Sequence, residues 1–184
     1  MAARAGQDCF ESETAHRVEH SIEFQAVFLQ YLFAGAREIR VVPVLASFAH
    51  EALVAGRRPE DDARVPRLLE ALAETIAAAG RRAVYIAGAD LAHVGPRFGD
   101  PTPVTAADQE RLARADRATL AAVEACDPDA FFDDAVRDGG ARRICGLSPI
   151  WALLRSLDGG GGTLRRYAQW PDPEGVVTFA SVTF

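Results

Sequence analysis

The chain has 184 residues, of which 49% are hydrophobic and 25% are charged, and its formal net charge is −6 at pH 7. This length supports a single domain with its own core, and this composition excludes a disordered or fibrous protein. The negative charge and the scattered arginines argue against nucleic acid as a partner. Because no stretch approaches 18 consecutive apolar residues and no apolar signal core begins the chain, we expect no membrane span and a cytoplasmic protein.

The helical pattern begins after residues 1–17, which show no periodicity and are expected to form a loop or tail. From Ser21, which is a candidate cap, the spacing of Phe24, Phe28 and Leu32 predicts a helix with this face buried. Start and stop signals predict further helices at residues 65–79, 106–126, 128–138 and 149–157.

Four apolar runs are predicted to be strands. Residues 39–46 and 83–87 have the composition of strands buried on both faces of a sheet. Residues 164–169 and 176–184 are separated by a short proline-containing turn, which indicates an antiparallel pair. The alternation of helices and strands predicts one α/β domain over residues 1–184, with a mixed sheet flanked by helices.

Asp90 and His93 are candidate catalytic residues because they follow the predicted strand 83–87. Open α/β sheets place their ligand crevices at the carboxyl ends of strands. An imidazole there can act as a base or a metal ligand, and a nearby carboxylate can fix its tautomer. A carboxylate that closes a turn beside a half-buried histidine explains the same residues equally well.

Cys145 is the one cysteine of three whose context suggests chemistry. It precedes Gly146 and the helix start at Ser148-Pro149, and Arg142 and Arg143 precede it. A helix N-terminus and neighbouring guanidinium groups both favour the thiolate, which binds metals and attacks electrophiles. A small buried cysteine with no chemical role is the other interpretation.

His20 is a candidate metal ligand because Glu19 and Glu23 flank it just before an apolar helix. Carboxylates often orient metal-binding histidines. Taken alone, an exposed histidine at a helix start is the simpler interpretation.

Five separated signatures occur in one order along the chain. They are EHSIEF at 19–24, IRVVPVL at 39–45, DLAHVGPRF at 90–98, ICGLSPI at 144–150 and YAQ at 167–169. In this order they resemble the Memo family from about Val18 to the C-terminus. The Memo fold is similar to that of the class III extradiol dioxygenases, which are non-heme iron enzymes that open catechol rings with O₂.

The resemblance implies roles for four residues. His20 matches a metal-binding histidine, and Cys145 matches the third, non-histidine ligand. His93 matches a pocket histidine that acts as acid and base in the dioxygenases, and Asp90 lies beside it. Two histidines and a thiolate suit iron (Fe²⁺) first and copper second, with open positions for O₂ or substrate.

Two departures from the family pattern affect this expectation. The pattern begins upstream of Met1, with strands and a first metal-binding histidine, so the chain resembles the C-terminal part of a Memo-like protein and its site is expected to be incomplete. Where the family often has Arg-His after Cys-Gly, this chain has Leu147-Ser148, which predicts the loss of a polar pocket contact.

Three functions follow from these observations. The leading hypothesis is a Memo-like non-heme metal-binding protein with dioxygenase-like oxidoreductase activity. Its implied partners are the radical SAM proteins of the AmmeMemoRadiSam system, and a homo-oligomer could hide apolar surface. The alternative is a non-catalytic module that binds proteins or peptides, as animal Memo relatives do. Thiol chemistry at Cys145 is the third.

Overall fold

The computed structural model describes residues 2–157 and 159–184. Seven α-helices occur in this part of the chain, and the sequence predicts five of them. They are α1 (Ala2–Ala5), α2 (Ser21–Phe33), α3 (Phe48–Ala55), α4 (Arg64–Ala79), α5 (Ala106–Glu124), α6 (Pro128–Val136) and α7 (Leu147–Ser156).

The sheet of the described residues has three strands, β1 (His93–Val94), β2 (Thr163–Trp170) and β3 (Val176–Thr183). The order is β1-β3-β2, and both pairs are antiparallel. The predicted hairpin of β2 and β3 is therefore confirmed, as is the α/β class. The predicted mixed sheet is wrong for this part of the chain, because the runs expected to supply its parallel strands form none.

Local signals position three of the helices as predicted. Thr105 caps α5, and its hydroxyl accepts from the Asp108 N–H while the Asp108 carboxylate accepts from the Thr105 N–H. The Asp127 carboxylate caps α6 by accepting from two backbone N–H groups. α4 ends at Gly80, whose φ of +58° lies in the left-handed region that favours glycine.

The main core lies where α3, α5, α6 and α7 meet the sheet. Trp151 and Phe131 are almost completely buried there, and Phe48 packs edge-on against Trp151 with ring centroids 5.6 Å apart. Tyr167 and Leu164 of β2 pack against the same cluster. Leu91, Ile144 and Leu147 belong to this core, so it anchors the segments that carry Asp90, His93 and Cys145.

Residues 39–46 and 83–87 form no strand in the structure, so both predictions are wrong. Their large apolar side chains are exposed, with Val42 at 70% and Val84 at 83%. A strand requires a partner strand as well as a suitable composition, and none lies beside these runs in the described residues. The helix α3, which the sequence does not predict, follows the first run.

The helix α2 forms where predicted but with the opposite face inward. Phe24, Phe28 and Leu32 are exposed, whereas Leu29 and Phe33 are half-buried. Both faces are apolar, so the sequence pattern cannot distinguish which one packs. Such a helix is typical of an element buried on both sides.

The segment before α2 is not the plain loop that was predicted. It contains α1 and two 3₁₀ turns at Gln7–Phe10 and Glu13–Arg17. Arg4 attaches it to α4 by a hydrogen bond of 3.2 Å to the Thr75 hydroxyl and an ion pair of 3.3 Å with Glu74.

The longest helix of the described residues is α5, which has 19 residues and carries many charged side chains. No helix in the described part of the chain combines the length and the apolar character needed to cross a membrane.

Candidate metal centre

Three candidate residues from two separate signatures meet at one point. The side-chain donor atoms of Asp90, His93 and Cys145 all lie within 4.8 Å of one another. Asp90 and His93 flank the start of β1, and Cys145 directly precedes the turn into α7. A carboxylate, an imidazole and a thiol can each bind a transition metal, so this cluster can hold a metal ion.

The chain around Cys145 is held against Asp90 by the backbone. The Asp90 carbonyl accepts from the Gly146 N–H at 3.0 Å, and the Cys145 thiol donates to the same oxygen at 3.6 Å. A Cβ atom on residue 146 would lie 2.5 Å from that carbonyl oxygen and 2.8 Å from Ala89 Cβ. Only glycine therefore permits this approach, which brings the thiol to the carboxylate.

His93 is oriented by its own strand. Its Nδ1 lies 3.2 Å from the Leu91 carbonyl oxygen, which can only accept, so Nδ1 carries the proton in this contact. The lone pair is then on Nε2, the nitrogen available to bind a metal or a proton. Phe98 packs edge-on against the ring at 5.0 Å and restricts its rotation.

Arg142 and Arg143 connect His93 to Cys145. The His93 N–H donates to the Arg142 carbonyl at 2.7 Å, and the Arg143 guanidinium donates to the His93 carbonyl at 3.0 Å. Arg143 also pairs with the Asp100 carboxylate. Arg143 has a φ of +47°, a conformation that is uncommon for residues other than glycine, and these contacts hold it there.

The Arg142 side chain points away from the site into a buried acidic cluster. Its guanidinium donates to the Thr119 hydroxyl at 2.8 Å and the Asp134 carbonyl at 2.6 Å, and lies 3.7 Å from the Asp116 carboxylate. Burial raises the pKa of Asp116, although the hydroxyls of Thr178 and Tyr167 and the charge of Arg142 oppose this shift. The cluster fixes the residue that joins His93 to the Cys145 turn.

The sequence favours a thiolate at Cys145, and the surroundings of its sulfur act in the opposite direction. Loss of solvent around the sulfur raises the pKa of the Cys145 thiol, and the Asp90 charge raises it further, against hydrogen bonds that lower it. Arg142 and Arg143 do not counter this because their side chains pair with other residues. A metal bound by this sulfur would have to displace the thiol proton.

His20 does not join the three donors. It is exposed at the start of α2, and its ring packs against Phe24 with centroids 5.7 Å apart. The Glu19 carboxylate accepts from the Ile22 N–H at 2.9 Å and the Ser21 hydroxyl at 2.7 Å, and these bonds lower its pKa. Glu19 thus caps the helix instead of orienting His20, and the prediction that Ser21 is the cap is wrong.

The helix that His20 begins does lie beside the site. A Cβ atom on residue 88 would meet the Ser21 carbonyl oxygen at 2.8 Å and the Gln25 side chain at 2.9 Å. Gly88 is two residues from Asp90, so this glycine lets the first turn of α2 pack against the segment that leads to the three donors.

Leu147 and Ser148 replace a polar pocket contact with packing. Leu147 is buried in the main core. Ser148 is completely buried, and its hydroxyl accepts from the Ala49 N–H at 3.0 Å. The predicted helix start at Ser148-Pro149 is two residues late, because Ser148 lies within α7 and its hydroxyl binds an N–H at the start of α3 instead of capping α7.

Sequence reasoning missed the functions of two glycines and one acidic residue around the site. Gly88 and Gly146 permit close approaches, and Asp116 belongs to the buried cluster. Tyr167 was noted only as part of a signature. Its hydroxyl donates to Asp116 at 2.8 Å and accepts from Gln169 at 2.8 Å, and burial raises its pKa. The YAQ signature was the one available signal for this cluster.

Comparison with known proteins agrees with this arrangement of signatures. A sequence model described as "Memo-like protein" matches residues 4–182. A MEMO1 family protein of Methanosarcina mazei is 28% identical over 177 residues, which cover 92% of this chain and 56% of that protein. A MEMO1 family protein of Thermus thermophilus is 33% identical over 150 residues, which cover 82% of this chain and 39% of that protein.

The chain spans about half the length of the curated relatives that it matches. No solved structure gives a significant match. The family match extends over almost all of the chain and includes every residue of the candidate site. The chain therefore belongs to the Memo family.

Proposed function

We propose that this chain binds a redox-active transition metal at Asp90, His93 and Cys145, with iron (Fe²⁺) as the first choice and copper as the second. The observation that carries the proposal is the approach of the three donor atoms to within 4.8 Å of one another. Donors around one tetrahedral ion lie about 3–4 Å apart. Small side-chain rotations would therefore suffice to bring these atoms onto one ion.

The chemistry of the donor set favours iron or copper over a hard cation. A thiolate and an imidazole are softer ligands than the oxygen donors that magnesium and calcium prefer. The turn at Gly146 and the Leu91 contact of His93 orient two of the donors through contacts within the chain. Prior orientation of this kind reduces the entropy that metal binding must offset.

His20 is the further ligand that we propose from the family resemblance. The contact between Gly88 and the first turn of α2 supports this assignment, because it holds the start of that helix beside the segment leading to Asp90. Its imidazole would have to turn from Phe24 to reach an ion at the other three residues. His20 and Cys145 form a second ligand set, in which His93 and Asp90 would not bind the ion but would act on protons beside it.

The activity that we propose for the complete site is that of a metal-dependent oxidoreductase similar to the class III extradiol dioxygenases. A bound iron or copper ion would supply redox chemistry and open positions for O₂ or substrate. In the second ligand set, where His20 and Cys145 hold the ion, His93 can hold or release a proton at Nε2, because Nδ1 is engaged with Leu91. Association with radical SAM proteins of the AmmeMemoRadiSam system remains a prediction from the resemblance.

Metal analysis tests the proposal. Purified protein is loaded anaerobically with Fe(II), and separately with copper, and the metal bound per chain is measured after desalting. We expect about one ion per chain in the unmodified protein and in the Cys9→Ser control, since Cys9 is an exposed cysteine outside the site. We expect at least a tenfold weaker affinity in Cys145→Ser and His93→Ala.

The result would contradict the proposal if Cys145→Ser bound as much metal as Cys9→Ser. His20→Ala separates the two ligand sets, because it lowers affinity only if this histidine reaches the ion. A second candidate function, the non-catalytic binding module, is favoured by the exposed apolar residues Phe24 and Phe28 of α2. That function predicts normal binding of a protein partner by chains that bind no metal.

A further inference from the structure

Exposed apolar side chains are concentrated in three segments of the described residues, and together we call them the uncovered face. Its members come from α2, from the run after it and from the run before β1. They are Phe24, Val27, Phe28, Tyr31, Leu32, Ile39, Val41, Val42, Val44, Leu45, Val84 and Ile86, each at least 37% exposed.

Two contacts bring these three segments together. A groove of about 370 Å³ between α2 and the following run is lined by Leu29 and Phe33 on one side and by Ile39 and Val41 on the other. At the other end of the helix, Gly88 packs against its first turn and brings the run at residues 83–87 alongside. Contiguous apolar surfaces of this kind on soluble proteins mark interaction sites.

The sequence of each part indicates burial on both sides. The helix α2 is apolar on its packed face, which includes Leu29 and Phe33, and on its exposed face, which includes Phe28 and Tyr31. Residues 39–46 have the composition of a strand covered on both faces of a sheet, yet the structure forms no strand there. The helix has a half-buried inner side, whereas residues 39–45 are exposed throughout, so the remaining cover must come from elsewhere.

We infer that the uncovered face is the docking surface for Memo-family polypeptide that lies outside the sequence matched here. The length of the relatives supports this occupant. The match covers 92% of this chain but only 56% of the Methanosarcina mazei protein, so a little under half of that relative has no counterpart in the match. The occupant would supply strands beside residues 39–46 and 83–87 and a layer over α2.

The run at residues 83–87 connects this docking surface to the fold. It leads into the segment where the Leu91 N–H donates to the Thr178 carbonyl at 2.8 Å and into β1, which pairs with β3. A strand added beside residues 83–87 would therefore extend the sheet that already exists. The same addition would order the chain immediately before Asp90.

The experiment measures binding of separate polypeptides to the full chain. The parts of the Methanosarcina mazei and Thermus thermophilus relatives that lie outside their matches are purified and titrated into this protein. Sedimentation then measures complex formation. We expect a one-to-one complex with at least one of them, and hydrogen exchange that slows at residues 39–46 and 83–87 on binding.

Two exposed valines provide a matched pair of variants. Val84 is 83% exposed on the uncovered face, and Val54 is 88% exposed on α3 outside it. We expect Val84→Asp to weaken the complex at least tenfold, because a carboxylate would be buried at the new interface. Val54→Asp should bind as the unmodified chain does. Neither side chain contributes to the core, so both variants should fold.

Three results would overturn the inference. The first is no complex with either polypeptide, and the second is a complex that Val84→Asp and Val54→Asp weaken equally. The third is a dimer of this chain alone that Val84→Asp dissociates and Val54→Asp does not, because the face would then be occupied by a second copy. None of these measurements depends on a metal, so the outcome is independent of the proposed function.

Discussion

The candidate site and the uncovered face differ in how their residues are held. Around the site, Arg142 and Arg143 connect His93 and Cys145 to buried acids and to Asp100. On the uncovered face, α2 has one half-buried side and one side in solvent, and residues 39–45 are exposed throughout. Contacts within the chain fix the geometry of the candidate site, whereas the uncovered face lacks the partner that would bury its apolar side chains.

This difference explains why three of the four candidate residues meet and one does not. Asp90, His93 and Cys145 belong to segments that hydrogen bonds and a glycine contact hold together. His20 begins α2, the helix whose outer side is uncovered. Its ring packs on Phe24, which is itself exposed on that side. Covering the face is therefore the change most able to reposition His20.

The largest expected effect comes from removing the buried cation, Arg142, that holds the candidate site in place. Arg142→Met leaves Asp116 and Asp134 without their shared guanidinium, and removing one partner of a buried ion cluster costs about 3–5 kcal/mol. Denaturant unfolding measures the loss. Arg137→Met is the control, because Arg137 pairs with the same Asp134 at 3.0 Å from a largely exposed position and should cost less than about 1 kcal/mol. Equal losses would show that the cluster does not anchor the site.

The next effect compares a leucine of the main core with a leucine of the uncovered face. Leu154 is 2% exposed in the main core, whereas Leu32 is 65% exposed on the uncovered face. We expect Leu154→Ala to lower the free energy of unfolding by about 2–5 kcal/mol, and Leu32→Ala to change it by less than about 0.5 kcal/mol. Denaturant titration of the chain alone provides both values. A large loss from Leu32→Ala would mean that the face is covered in solution without any added polypeptide.

The sequence predicts the elements whose causes are local. Thr105 with Asp108, Asp127 with Pro128, and Gly80 each act within one turn of a helix end, and each prediction is confirmed. The hairpin of β2 and β3 is also correct, because its two strands are neighbours in sequence and supply each other's hydrogen bonds.

The sequence fails where the cause is distant. Residues 39–46 have strand composition, but a strand depends on partners that composition cannot supply. Arg142 was interpreted as a cation beside Cys145, and only the packing of α5 and α6 shows that its charge faces Asp116 and Asp134 instead. The association of Asp90 with His93 was visible from their spacing, while their meeting with Cys145 rested on the family resemblance.

The smallest expected effect is the pH dependence of stability that the Asp100–Arg143 pair beside the site contributes. The Arg143 guanidinium and the Gly95 N–H both bind the Asp100 carboxylate and lower its pKa in the folded state. A lowered folded pKa means that this contribution to stability is complete above the pKa of the unfolded chain, near 3.9, and is lost as the pH falls through the folded value. Asp100→Asn should therefore be less stable than the unmodified protein by about 1 kcal/mol at pH 7.

The difference between the two proteins should disappear as the pH falls below 4, because Asp100 then becomes protonated in the unmodified chain as well. Unfolding measured from pH 7 to pH 2 gives both curves. Parallel curves would show that Asp100 does not hold Arg143 in solution. The positive φ of Arg143 would then depend on its contact with the His93 carbonyl. Converging curves would show that the Asp100 carboxylate holds Arg143, and with it the contact to the His93 carbonyl, in the folded protein.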